Sequence, residues 1–164
     1  MVDYAKLIQE ETARKGSAIA AAEAQWKLEI DLIAFFRSVE IALGEEMAKA
    51  NVELKRRGAP TISGPFRPMK NDEKIELAFG TRRPCCRLTL QGTVLSTKQS
   101  AIVVELFDDH GQQMGKTKYV IEAGPSDVKA FRTLVEGFPD RAAEVTSTEI
   151  AQEIVSGIIR GRFV

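Results

Sequence analysis

Residues 3–57 contain no proline, and Ala, Glu, Lys, Leu and Ile dominate them. Proline-free sequence rich in strong helix formers predicts one long helix, interrupted at most at Gly16 or Gly44. Its end is marked by "KRRGAP" at residues 55–60. Basic side chains there suit the negative end of the helix dipole, Gly58 suits a left-handed cap, and Pro60 follows. An unbroken helix of this span is roughly 80 Å long at about 1.5 Å per residue. A compact chain of 164 residues has a diameter of only roughly 40 Å. The helix therefore either breaks at a glycine, or part of it projects and is sheltered by another subunit.

Within it, "WKLEIDLIAFFRSVEIAL" at residues 26–43 is apolar around most of its circumference yet carries Lys27, Glu29, Asp31, Arg37 and Glu40. Those charges exclude a simple membrane span. Advancing 100° per residue places Ile19, Ile30, Ile33 and Ile41 within about 60° of Trp26. Leu28, Leu32, Phe35, Phe36, Val39, Leu43 and Met47 fall on an adjoining arc, with Lys27, Asp31, Ser38 and Glu45 on the polar side. A surface helix needs an apolar stripe of only about 100°, so burial from two directions is expected. One face should lie on the chain's own sheet, and the other, carrying Trp26 and Ile33, should meet a second chain. An interrupted heptad seam runs through Ile8, Ile19, Ala22, Trp26, Ile33, Phe36, Leu43, Met47, Ala50 and Leu54. From it, Trp26, Ile33, Phe36, Leu43 and Met47 are the expected partner interface.

The hydrophobic period changes after residues 58–72, which read as a linker or irregular edge with three of the six prolines. "KIELAF" (74–79), "CRLTLQGTVLS" (86–96), "SAIVVELF" (100–107) and "KTKYVIE" (116–122) alternate as strands do. Short connectors between them favour an antiparallel meander, because parallel pairs need long crossovers. "GPSDVKAFRTLVEG" (124–137) then reads as a helix with Val128, Phe131, Leu134 and Val135 on one face. "TSTEIAQEIVSGIIRGRFV" (146–164) reads as another, with Thr146 and Glu149 at capping-box spacing and Ile150, Ile154, Val155, Ile158 and Ile159 on its apolar face. The expected fold is α+β: a long N-terminal helix (1–57), then a four-stranded antiparallel meander with two C-terminal helices (58–164), together forming one domain.

Hydrophobic residues make up 44% and charged residues 28%, with zero net charge, so the class is globular and has no long-range field toward nucleic acid or anionic membrane. The N-terminus lacks a basic leader followed by an apolar run, and the two cysteines form no disulfide framework. A cytoplasmic location is expected.

The candidate chemistry is sparse. The single histidine, in "FDDHGQQMGK", reads as a hairpin turn built of Asp, His and Gly. With no second histidine, a histidine-dependent triad would need His110 itself. Cys85 and Cys86 in "RRPCCR" point to opposite faces of an extended chain. One should be core, and a thiol near Arg82, Arg83 and Arg87 could be reactive. No phosphate-cradling glycine loop occurs, and no cofactor, metal or catalytic residue is assigned. Between residues 55 and 87 nine basic side chains oppose three acidic ones. Arg56, Arg57, Arg67, Arg82, Arg83 and Arg87 are thus candidates for anion or nucleic-acid contact.

The function expected is non-catalytic: a protein-interaction module that self-associates, as a homodimer, or binds a partner helix through the long N-terminal helix. Two alternatives stand beside it, a nucleic-acid or phosphate-binding module and a small-ligand or enzymatic cavity between helix and sheet.

Overall fold

A computed structural model describes residues 1–66, 75–91, 100–123, 127–132 and 143–163, the side chains of Gln25, Leu28 and Ala123 excepted. The sequence's longest element is present unbroken. Helix α1 spans Tyr4–Arg56 and passes through Gly16 and Gly44 without interruption. Asp3 caps its start, its side chain accepting from the Lys6 amide at 3.2 Å, which satisfies one of the amides a helix leaves unpaired. It stops where the basic turn and glycine predict, with Lys55 and Arg56 in the last turn and Gly58 at φ +67°.

Among the described residues a single antiparallel sheet follows, seven strands in chain order. They are β1 (Ser63–Phe66), β2 (Ile75–Gly80), β3 (Pro84–Gln91), β4 (Ser100–Phe107), β5 (Gln113–Ala123), β6 (Val128–Arg132) and β7 (Ala143–Val145). Helix α2, Ser147–Arg160, ends the chain. The α+β class, long helix and antiparallel meander are as expected, but the sheet is larger than the expected four strands. Among the described residues one C-terminal helix, not two, accompanies it.

Three segments account for the difference. β1 lies in the proline-containing linker, at the sheet edge, where Pro65 removes no amide that a central ladder would need. β6 lies in the expected helix at 124–137. Val128 and Ala130 pair with β5 on the core face, so a period of two prevails over the helical spacing of Val128 and Phe131. Residues 133–137 of that segment, Leu134 and Val135 among them, lie outside the described residues, as do residues 92–96 of the second expected strand. β7 is only three residues long, too short for any periodicity.

Strand register fixes one inner face: Leu77, Leu88 and Val104 stand in one row, and Phe79, Cys86 and Leu106 in the next. Against it pack Leu32, Phe36, Val39, Leu43 and Met47 of α1 and Ile150, Ile154, Val155 and Ile158 of α2, all in one hydrophobic cluster. The two helices run side by side in the same direction. The Ser147 hydroxyl at the start of α2 lies 2.7 Å from that of Ser38, which itself donates to the Phe35 carbonyl. α2 begins with the expected capping box, the Thr146 hydroxyl accepting from the Glu149 amide and the Glu149 carboxylate from the Thr146 amide. It ends at left-handed Gly161.

The C-terminal half of α1 is tied to the sheet's edge by Asn51. Its side-chain amide donates to the Ile62 carbonyl and accepts from the Ile62 amide, both at 2.8 Å. This imitates a strand pairing immediately before Ser63 joins Gly80. Among the described residues the N-terminal half has no such ties. Residues 1–24 are exposed throughout, and the first α1 side chain enclosed by the core is Leu32. Roughly 40 Å of helix thus stands clear of the head formed by sheet, α2 and residues 32–56.

Candidate interaction surface

The projecting half of α1 carries apolar side chains in a pattern that its folding does not require. There Ile8, Ile19 and Ile30 recur every eleven residues and are 65%, 60% and 46% exposed, with Trp26 beside them 68% exposed; Ile41, 66% exposed, continues the spacing onto the head. Eleven residues are three turns of a helix with 3.67 residues per turn, so these isoleucines form a nearly straight line. Their steps are roughly 16 Å. Tyr4 and Leu7 extend the apolar surface toward the N-terminus. Scattered exposed apolar residues are ordinary, but a regularly spaced line of them along an exposed helix segment is a candidate contact surface.

The five residues expected at a partner interface divide between two places. Trp26 lies on this exposed line. Ile33 is half-buried at the margin of the core, and Phe36, Leu43 and Met47 are enclosed among the chain's own strands and α2. Those three sit about 60–100° from Trp26, on the side that carries Leu32 and Val39, so the heptad seam joined residues of two faces. Separating the faces by the wheel alone places Leu32, Phe36, Val39, Leu43 and Met47 inward, as found. The side chain of Leu28 is outside the described residues.

The candidate basic residues are only partly free. Arg87 is held on the outer face of the sheet between Glu105 (3.1 Å) and Glu76 (3.7 Å), with its guanidinium 5.0 Å from the Phe107 ring centre. Arg56 pairs with Glu53. Arg82 and Arg83 are exposed in the β2–β3 turn, and Arg67 lies outside the described residues. Because Ile62 is clamped to Asn51 and Ser63 pairs with Gly80, that turn lies at the same end of the sheet as Arg56 and Arg57. α2 runs to the same end and adds Arg160 and Arg162, which the sequence reading did not group with them. Asp108 and Asp109, in the β4–β5 turn, are also at this end and reduce its positive charge.

His110 occupies that β4–β5 turn as expected. The Asp108 carboxylate accepts from the amides of His110 and Gln112 at 2.9 and 2.8 Å, and Gly111 supplies φ +78°. Cys86 is buried in the core and Cys85 half-buried beside it, both free. Burial raises both thiols above their ordinary range, the opposite of the lowering that a reactive thiolate requires.

A polar cleft of about 240 Å³ lies between α2 and the inner face of β5 and β6. Buried Tyr119 donates to the Glu153 carboxylate at 2.5 Å, and Arg132 forms an ion pair with the other oxygen of Glu153. Phe163 closes one end, its ring pressed against Gly157 and Gly115, where there is no Cβ to exclude it. Burial pushes the Tyr119 phenol up to about 12, so it remains a neutral donor at ordinary pH. The cluster joins α2 to the sheet. It was not legible beforehand, because Arg132 belongs to the segment expected to be helical.

Comparison with protein-family models, curated proteins and solved structures gives no match for this chain. Among the described residues no helix is long and apolar enough to cross a membrane.

Proposed function

We propose that the protein is a non-catalytic, cytoplasmic self-association module, in which the projecting half of α1 pairs with that of a second copy. The single observation that carries this is the line Ile8, Ile19 and Ile30, flanked by Trp26, exposed on the segment of α1 that precedes the head. Placing that surface against a like surface removes it from water, at about 25 cal/mol per Å² of apolar area. A second copy always carries the complementary surface.

Light scattering at micromolar concentration is expected to give a mass near twice 18.1 kDa. Ile19→Lys should return it to the monomer mass without altering the sheet, which Ile19 does not touch. The lone tryptophan lies at the proposed contact, so its emission should move to the red on dilution of the wild type. A wild-type monomer at all accessible concentrations would refute the reading.

The gathering of Arg56, Arg57, Arg82, Arg83, Arg160 and Arg162 at one end of the head supports a second reading, an anion or nucleic-acid contact there. Binding of a single-stranded oligonucleotide should then weaken steeply from low to moderate salt. Salt-independent binding, or none, would remove it.

A further inference from the structure

We infer that the second copy lies antiparallel to the first, with the two-fold axis passing beside Ile19. This rests on the self-association just proposed and specifies its geometry. In an antiparallel pair centred on residue 19, residue n is level with residue 38 − n of the other copy. Ile19 then meets Ile19, and Ile8 meets Ile30, because the three isoleucines of the projecting segment are evenly spaced about Ile19. An eleven-residue repeat winds slightly to the right along the contact, where a heptad repeat would wind to the left.

Charge selects this register over the others. Lys15 lies one turn before Ile19 on the exposed line, and any pairing of the projecting segment through this face must accommodate it. Centred on residue 19, Lys15 comes level with Glu23 of the second copy, and the pair occurs twice by symmetry. Its ammonium is also within a turn of the second copy's Trp26, whose ring face favours a cation. Shifting the centre by half a repeat, so that Ile8 meets Ile19 or Ile19 meets Ile30, leaves Lys15 level with Thr12 or Ala34. A parallel in-register pair sets Lys15 against Lys15 and Glu23 against Glu23, both repulsive.

Length agrees. Level with Tyr4 stands Ala34, so the overlap consumes the projecting helix and ends where Leu32 enters the core. The heads then lie at opposite ends of the paired rod, with Leu43 roughly 70 Å from its counterpart. The assembly is a spacer that holds two identical heads apart.

Two sets of variants test the register. Lys15→Glu and Glu23→Lys should each weaken dimerisation about tenfold, since two attractive pairs become repulsive, and the double variant should recover wild-type affinity. Under mild oxidation Ile8→Cys alone should give no more cross-linked dimer than the wild type with its Cys85 and Cys86, whereas Ile8→Cys with Ile30→Cys should cross-link fully. Cross-linking by Ile8→Cys alone, or a double charge variant no better than the singles, overturns the antiparallel register while leaving self-association standing. A wild-type monomer overturns both.

Discussion

Phe36→Ala should lower the stability of the head by about 3–5 kcal/mol, and Leu43→Ala by about 2–5 kcal/mol. Both side chains are fully enclosed between the sheet and α2. Truncation removes the transfer free energy of the lost atoms and leaves a cavity that the surrounding strands cannot fill without losing register. Val52, on the same helix and within the head, provides the control. It is exposed, so Val52→Ala should change stability by no more than about 0.5 kcal/mol. Chemical unfolding followed by far-ultraviolet circular dichroism measures all three. Trp26 fluorescence is unsuitable for this purpose, because it reports the projecting segment and not the core. If Phe36→Ala unfolds within about 0.5 kcal/mol of the wild type, Phe36 is not enclosed as described and a partner interface through that residue regains its basis.

This contrast shows what the sequence made legible. The long helix, its stop at Lys55 to Gly58, the meander and the capping box of α2 were all readable, because each depends on local chemistry or on a period sustained over several residues. The helix wheel also separated the inward arc from the line near Trp26. The heptad seam obscured that distinction, since it steps from Ile33 to Phe36 and so crosses between faces. β1, β6 and β7 were not legible for three different reasons. Pro65 looks like a linker until its edge position is known, the alternation at Val128 and Ala130 competes with a helical spacing, and three residues at Ala143–Val145 contain no period. The Tyr119, Arg132 and Glu153 cluster needed β6 to be a strand before its members could meet. The line of isoleucines was present in the sequence, but only the exposed helix distinguishes it from another buried face.

Alkaline pH should destabilise the protein from about pH 9 upward, through protons that the folded state retains and the unfolded state releases. Tyr119 is raised by burial from an ordinary value of 10 to about 12, the nearby Arg132 opposing the rise without cancelling it. Cys86 is also raised, by burial, from an ordinary 9. For a group raised on folding, the stabilisation is complete below its unfolded value and is lost as pH climbs toward its folded one. Cys86 therefore begins to act near pH 9, and Tyr119 between pH 10 and about 12. Each fully engaged group can contribute a slope of up to about 1.4 kcal/mol per pH unit. The urea midpoint should accordingly be flat from pH 7 to about pH 8.5, then fall. Cys86→Ala should make the fall near pH 9 shallower, half-buried Cys85 being raised by burial as well, and Tyr119→Phe should flatten the descent above pH 10. Tyr119→Phe leaves the Glu153 ion pair with Arg132 in place, so its effect on the slope can be separated from loss of that link between α2 and the sheet. A midpoint that stays level to pH 11 would show that neither proton is held by the fold, and that the sheet is open to water where Tyr119 and Cys86 lie.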